Sequence, residues 1–416
     1  MKAIIQTTAA VTFALGAMTA NCITLSVDKV QQRYPWNGIV DIDYTVAYAD
    51  DEAPLDPAKD RIELSLVDES VMPPTTNSAH WLSAVPTPAG AGKHRVAWNA
   101  NKDGVTLVSS RARVLLSLVH YGERYMVVDL ANKDNDGKYV TTYLDAKPMD
   151  GFSSSEYKDS KIVFRLIPPG SCVVGSPATE AGRGSEPEYE VVISRPFYMS
   201  IYEVTQAQYT RIMGNNPSHN VGEHRPVDWV ATQTVRGNPN TYNWATTTDV
   251  APGSFVDKLG SCMNGYMDIP TEAQWEYACR AGTTTPFSEV PGASYDETLA
   301  TLGRFTMSDK SLNTDPSGVY ETGSVNVGQY KPNAWGLYDM HGNVREMVRG
   351  WACDDYGALQ QLVDPIGAST GVGGYMLARG GSYAVQSSDC RAASKTRRWD
   401  YANEDLGIRL ICEPGM

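Results

Sequence analysis

Apolar and polar residues alternate along the first third of the chain. Every second residue is apolar in residues 40–48, and the pattern recurs in residues 62–66, 114–118 and 125–130. A period of two places neighbouring side chains on opposite faces of a strand. Turn residues, mainly Pro, Gly, Asn and Asp, separate these segments. The pattern therefore predicts an antiparallel β-sandwich over residues 22–150.

Beyond this region the pattern changes to strands mixed with helices. A polar stretch, residues 151–160, predicts a linker. Thr205–Met213 and Thr271–Ala281 each open with Thr and Gln spaced as a capping box, and apolar residues follow at helical spacing. Gly214 and Gly282 predict the ends of these two helices. The rest is rich in Gly and Pro and predicts loops, which often carry functional residues.

The first residues have the pattern of an export signal. Lys2 precedes an apolar stretch, Ala3–Ala20, that ends in small residues. This order predicts a signal peptide over residues 1–21 and a secreted or periplasmic protein. Cys22 follows directly, but the aliphatic residue of a lipoprotein cleavage box is absent three positions before it. A lipid anchor at Cys22 is therefore the less favoured alternative.

Charge and hydropathy exclude two classes of partner. The chain has 416 residues and a formal net charge of −13. Because this balance repels phosphate backbones, we expect no nucleic acid partner. Beyond Ala20 no segment reaches the run of about 18 apolar residues that crosses a membrane, so we expect no membrane span.

Separated motifs fill most of the second half of the chain. They are Pro168–Ser176, Tyr202–Thr205, Pro226–Trp229, Ile269–Gly282, Asn333–Val344, Arg379–Ser382 and Gly407–Leu410. In this order and spacing they resemble the formylglycine-generating-enzyme, or sulfatase-modifying-factor, domain over about residues 161–413. The resemblance implies a C-type-lectin-like fold for residues 161–416. Together with the predicted sandwich, it makes the chain α+β.

The resemblance also implies a chemistry that the sequence matches only in part. Enzymes of this family oxidise a sulfatase Cys to formylglycine with Cu(I) and O₂, and two thiols five residues apart hold the copper. Soft thiolates suit Cu(I). Cys390 falls on the second thiol and Ser382 on the preceding Gly-Gly-Ser motif, but the first thiol position is Val385. Val supplies no ligand, so copper is doubtful, and Cys390 and Ser382 are catalytic candidates only if the protein is an enzyme.

Calcium is a second metal that the resemblance implies. One calcium site of the family surrounds a Gly-Asn-x-x-Glu turn, which this chain retains as Gly342–Glu346. Carboxylate and carbonyl oxygens suit Ca²⁺. Asn343 and Glu346 are therefore candidate ligands, and the alternative is that both side chains only cap a loop.

The chain has seven Cys, an odd number that leaves at least one unpaired within the chain. Disulfides are possible in an exported protein. The resemblance implies a disulfide partner for Cys412, either Cys262 or Cys279, and Cys353 with Cys390 is a further candidate pair. A disulfide at Cys390 would remove the last argument for thiol chemistry.

Two functions compete on this reading. The first is an exported binding protein for an unknown protein or glycan ligand, held by a C-terminal loop, residues 383–406. The second is a formylglycine-generating oxidoreductase that acts on a sulfatase through Cys390, and Val385 opposes it. The layout also resembles the variable proteins of diversity-generating retroelements, a further alternative. The loop's mixture of aromatic and charged side chains is typical of recognition surfaces, and its candidate ligand-binding residues are Tyr383, Gln386, Asp389, Arg391, Arg397, Arg398, Trp399 and Tyr401.

Overall fold

The chain divides into two units, Met1–Gly122 and Glu123–Met416. Each has its own hydrophobic core. The computed structural model describes residues 23–33, 38–48, 60–68, 75–80, 82, 91–105, 112–120, 124–242, 244, 247–290, 292–313, 323–351, 362–367, 375–398 and 402–413. The predicted signal peptide and Cys22 lie outside these residues.

In its described residues the N-terminal unit consists of two antiparallel sheets of three strands, ordered β1–β2–β5 and β4–β3–β6. The predicted alternation is confirmed, since Val40, Ile42 and Leu64 are buried in one cluster with residues from both sheets. The strands are β1 (Ile23–Gln32), β2 (Ile39–Tyr48), β3 (Asp60–Asp68), β4 (Thr75–Ser78), β5 (Gly92–Asn99) and β6 (Ala112–His120).

The boundary between the units differs from the predicted one at residue 150. Strands β7 (Tyr125–Lys133) and β8 (Tyr139–Leu144) form a hairpin that pairs with β9 (Lys161–Ile167) of the C-terminal unit. The hairpin therefore belongs to the unit that begins at Glu123. Alternation identifies a strand but carries no information about the strand with which it pairs.

The predicted linker, residues 151–160, is also part of this unit. It contains the short helix α1 (Glu156–Asp159), and the Lys158 carbonyl accepts a hydrogen bond from Thr205 Oγ1 at 2.6 Å. Phe152 within it is fully buried. These contacts hold the segment against the C-terminal unit, whereas a free linker would not be held in this way.

The C-terminal unit is a mixed, sheet-rich α+β domain with short helices. Its largest described sheet has the order β13–β18–β12–β9–β7–β8, a second has the order β16–β15–β14–β17, and β10 pairs with β11. The remaining strands are β10 (Gly170–Val174), β11 (Tyr189–Ile193), β12 (Phe197–Ser200), β13 (Tyr266–Asp268), β14 (Arg345–Trp351), β15 (Met376–Arg379), β16 (Lys395–Arg398), β17 (Leu406–Gly407) and β18 (Ile411–Glu413). The remaining helices are α2 (Gln206–Met213), α3 (Thr232–Val235), α4 (Phe255–Gly260), α5 (Glu272–Arg280) and α6 (Tyr295–Leu299).

Both predicted helices are confirmed together with their caps. Thr205 and Thr271 close reciprocal capping boxes at the N-termini of α2 and α5. Gly214 ends α2 in the left-handed conformation, whereas α5 ends one residue earlier than predicted, at a left-handed Ala281. Every residue of α5 is buried, so this helix forms part of the core on which the candidate site rests.

Candidate functional site

The segment that the resemblance aligns with the family's active site, Gly380–Cys390, follows β15 directly and ends in a 3₁₀ turn at Ser387–Cys390. Gly381 has φ 68° and lies against the turn. A Cβ at this position would overlap the sulfur of Cys390 and come within 2.9 Å of the Asp389 carbonyl oxygen. Glycine is therefore required for the loop to fold back on itself.

The Cys390 thiol lies inside an apolar cluster and not in an open cleft. Its side chain is fully buried against residues that include Phe287, Leu302 and Phe305, with Val385 packed at the edge. Burial raises the pKa of Cys390 to about 12. A thiol in such surroundings stays protonated near neutral pH and is a poor metal ligand. The two-thiolate copper set therefore does not fit these residues.

His341 contacts the backbone of Cys390, and its side chain is held as a neutral imidazole. Its Nδ1 lies 2.8 Å from the Cys390 carbonyl oxygen, and its Nε2 accepts the Ser288 backbone N–H at 3.1 Å. The proton is thus on Nδ1. Burial lowers the pKa of His341 to about 4, and the Cys279 sulfur lies 3.7 Å from Nε2. Both nitrogens are used inside the protein, so His341 positions the turn and has no lone pair left for a metal.

Ser382 belongs to a buried polar network. Its Oγ donates to Asp405 Oδ2 at 2.8 Å and accepts from Arg345 Nη1 at 3.3 Å. Arg345 and Asp405 form an ion pair with each other. Among the described residues no His or Lys forms a hydrogen bond with Ser382, so the arrangement holds the loop and places no base beside the hydroxyl.

The predicted calcium ligands are both buried, and their side chains already have protein partners. Glu346 accepts the Arg409 Nε–H, whose nitrogen lies 2.9 Å from both carboxylate oxygens, and the Trp275 Nε1–H at 2.6 Å. Asn343 Oδ1 accepts the Val325 N–H at 2.9 Å. A guanidinium against the carboxylate would repel a cation, so these two side chains do not fit a Ca²⁺ site.

Next to them, Glu203 and Asp339 form a pair of buried carboxyl groups that sequence reasoning missed. Glu203 accepts from Asn343 Nδ2 at 2.6 Å and from the Val344 N–H at 3.1 Å. Asp339 Oδ2 accepts the Gly328 N–H at 2.6 Å, and its Oδ1 has no hydrogen-bond partner. Burial raises the pKa of Asp339 to about 6 and that of Glu203 well above its ordinary value. The two acids lie in separate sequence motifs, and neither motif indicates that they interact in the structure.

The predicted ligand-binding residues separate into surface and core positions. Gln386, Asp389 and Arg397 are exposed. Tyr383 is 9% exposed, and its hydroxyl accepts from Asn220 Nδ2 at 3.2 Å. The side chain of Arg398, together with Trp399 and Tyr401, lies outside the described residues.

Arg391, another candidate ligand-binding residue, lies in the core of the unit. The residue is 1% exposed, and its guanidinium binds Glu180 at 2.5 Å and Glu186 at 2.8 Å. It also donates to the Gly182 carbonyl at 2.7 Å. Arg391 therefore fastens the loop around residues 180–186 to the segment that follows Cys390.

An exposed aromatic residue, Trp229, lies beside the loop of residues 383–406. Trp229 is 46% exposed and has a left-handed backbone, φ 58°. Its ring stacks on His219 with centroids 5.8 Å apart, and His219 Nδ1 lies 3.3 Å from Glu404 Oε2. The Pro226–Trp229 motif places this residue in the fold, but its exposure could not be read from the motif.

The five described cysteines are all free: Cys172, Cys262, Cys279, Cys390 and Cys412. The pairings of Cys412 with Cys262 or Cys279 are therefore wrong for this structure, and Cys353 lies outside the described residues. Cys262 instead has the Lys133 ammonium 3.1 Å from its sulfur.

A metal-binding cluster and a membrane-spanning helix are both absent from the described residues. Across them, no three His, Cys, Asp or Glu side chains converge as a metal site. None of the helices found there is long and apolar enough to cross a bilayer.

Comparison with known proteins places this site in a family. The sequence profile of the sulfatase-modifying factor enzyme 1-like domain matches residues 153–414. The formylglycine-generating enzyme of Streptomyces coelicolor is 35% identical over 150 residues, 34% of this chain and 45% of that protein. Chaperone protein LppX of Paenibacillus barcinonensis is 30% identical over 195 residues, 42% of this chain and 69% of that protein. The structure of PvdO from Pseudomonas aeruginosa covers 60% of this chain and 94% of its own, at 23% identity and a TM-score of 0.48.

The profile spans more than half of the chain, and it includes every motif on which the resemblance rests. The chain belongs, over residues 153–414, to the formylglycine-generating-enzyme, or sulfatase-modifying-factor, family.

Proposed function

We propose that this protein is a non-catalytic member of its family that binds a ligand through the loop of residues 383–406. The observation that carries the proposal is the Cys390 thiol, fully buried among aromatic and aliphatic side chains with Val385 where the partner thiol would stand. A copper oxidase needs two accessible thiolates. The loop of residues 383–406 then keeps its position in the fold but has no oxidase activity.

The geometry of the loop supports a binding role. Its fixed points are buried, namely Ser382, Cys390 and Arg391, each tied to another element. Between them Gln386 and Asp389 stand exposed on a short, anchored turn. Polar side chains on a rigid scaffold lose little freedom on binding, which favours recognition.

Export and ligand identity complete the proposal. The N-terminal residues fit a secreted or periplasmic protein, and the ligand is a protein or a glycan met in that compartment. The competing function, oxidation of a sulfatase Cys through Cys390, rests on the family alone. The retroelement alternative rests on the layout of the loop and needs variation that one chain cannot display.

The first experiment tests for oxidase activity. The copper-loaded protein is incubated in air with a Cys-x-Pro-x-Arg peptide, and aldehyde is sought by mass spectrometry. We expect none from the natural chain. Aldehyde that disappears in Cys390→Ser would overturn the proposal. Val385→Cys is the matched variant, and aldehyde from it alone would mean that the natural chain is inactive for want of one thiol.

The second experiment tests binding by the loop. The full chain is screened on a displayed peptide library and a printed glycan array, beside Gln386→Ala and Asp389→Ala. The control is Met149→Ala, a fully exposed residue outside the loop. We expect ligands whose binding falls severalfold with the loop variants and not with the control. No ligand at all, or ligands indifferent to the loop variants, would contradict the proposal.

A further inference from the structure

Trp229 combines two features that a surface residue rarely has together. Its large side chain is 46% exposed, and its backbone has φ 58°. A bulky residue in the left-handed region is a steric outlier and persists only where its surroundings impose it. The contacts around Trp229 must therefore impose its backbone conformation, and they hold a large aromatic ring at the surface.

The surroundings impose this conformation through a buried acid. Asp228, fully buried, accepts the His219 N–H at 2.6 Å and the N–H and Nδ2 of Asn220 at 3.2 Å. The Trp229 N–H donates to the Asn403 carbonyl at 2.9 Å. The indole is therefore held at the surface by the hydrogen bond of its own N–H and by the contacts of the adjacent Asp228.

A carboxylate, that of Glu404, shares the neighbour His219 with the ring. Glu404 is 46% exposed, and its backbone carbonyl accepts from Asn220 Nδ2 at 3.2 Å and from the Tyr383 hydroxyl at 3.4 Å. His219 joins the two groups, since it stacks on Trp229 and lies 3.3 Å from Glu404. Indole and carboxylate are thus positioned by the same buried contacts.

We propose that Trp229 and Glu404 form a receptor for a basic side chain, Arg or Lys, of a partner protein. Among the aromatic side chains, the indole of Trp attracts a cation to its face most strongly. Glu404, which contacts the same His219 as the ring, supplies the opposite charge, and the chain's net charge of −13 adds long-range attraction. Trp is also the residue most often found to dominate a protein interface. The inference rests on the proposed binding function and names the class of its ligand.

A sugar ring is the other occupant that an exposed indole could stack against. Neither the carboxylate nor the negative charge of the chain gives a neutral sugar an electrostatic advantage. Both favour a cation, so the charge distribution selects the basic side chain.

The test uses small probes of matched shape. The full chain is labelled with 5-fluorotryptophan, and its nine Trp signals are followed by fluorine NMR during titration. Trp229→Leu identifies the signal of interest. The probes are Nα-acetyl-arginine amide, its uncharged isostere Nα-acetyl-citrulline amide, and methyl glucopyranoside.

We expect arginine amide to shift the Trp229 signal with an affinity about two- to fivefold higher than citrulline amide. Glu404→Gln should weaken arginine binding by a similar factor. Glu188→Gln is the matched control, since it is the same substitution at an exposed Glu outside the loop of residues 383–406 and leaves the ring and Glu404 intact. It should leave the binding unchanged.

Equal shifts with arginine and citrulline amides would overturn the inference, and so would a stronger response to the sugar. These affinities are measured on the natural chain, and Trp229→Leu serves only to assign the signal. They are also separate from the test of the proposed function. Aldehyde formation at Cys390 would overturn that function and leave an arginine-selective response at Trp229 in place.

Discussion

Replacing Glu346 with Gln separates two roles for the turn at Gly342–Glu346. In the structure Glu346 neutralises Arg409, whose Nη2 lies 2.7 Å from Glu346 Oε1. The family resemblance instead implies a calcium ligand at this position. The two roles predict different responses to the same substitution.

The ion-pair role predicts a large loss of stability. The side chains of Arg409 and Glu346 are 0% and 1% exposed, so solvent does not screen the pair. Removing one partner of a buried pair strands the other charge and costs about 3–5 kcal/mol. Gln keeps an oxygen that accepts one bond from Arg409, so we expect the lower end, about 3 kcal/mol. In a unit of this size that lowers the melting temperature by about 6–12 °C.

Urea unfolding followed by circular dichroism measures this loss. The control is Glu156→Gln, which breaks a partly exposed contact with Lys161 at 2.7 Å. We expect it to cost less than about 1 kcal/mol. Adding Arg409→Met to Glu346→Gln removes the stranded charge, and should restore part of the stability.

The calcium role makes the opposite prediction. Millimolar Ca²⁺ would raise the melting temperature of the natural chain, and Glu346→Gln would abolish that rise. We expect no effect of Ca²⁺ on either chain. A calcium-dependent rise, or a loss for Glu346→Gln no larger than for Glu156→Gln, would refute the ion-pair reasoning.

Three further predictions concern buried groups. Because burial raises the pKa of Cys390 to about 12, its thiol should react with maleimide far more slowly than the partly exposed Cys262, and mass spectrometry of labelled peptides would detect a contrary order. Burial also raises the pKa of Asp339 to about 6, so the folded state binds the proton more tightly than the unfolded chain, and the free energy of unfolding should fall as pH rises from about 4 to 6. Asp339→Asn should reduce that fall, of which Glu203 retains a part, and stabilise the protein at pH 8, and melting curves that keep the same pH slope would contradict this. Arg391→Lys should lose the paired bonds to Glu186, and limited proteolysis would show whether residues 176–186 become cleavable.

Local signals in the sequence were sufficient for the local parts of the fold. The capping boxes at Thr205 and Thr271 involve residues three positions apart, so the helices could be predicted with their starting residues. Alternation likewise identified the buried face of β2. The pairing of β7 with β9 depends on contacts between separate elements, and no local pattern encodes it.

The candidate site shows the same division. The family motifs located Ser382, Cys390 and Glu346, because each motif has a fixed place in the fold. Their partners come from far along the chain, such as Arg409 for Glu346 and Glu186 for Arg391. Arg391 is a charged residue in a loop whose composition is typical of a recognition surface. Its ion pair with Glu186, which is distant in the sequence, holds it in the interior.

The hairpin β7–β8 has a practical consequence for dissecting the chain. The family profile begins at residue 153, after this hairpin. A fragment cut there would bare the hydrogen-bonding edge of β9 from Lys161 to Arg165, which β7 covers in the intact protein. Exposed strand edges recruit other chains and aggregate. A soluble, isolated domain should therefore begin near Glu123, and a fragment that begins at residue 153 should precipitate.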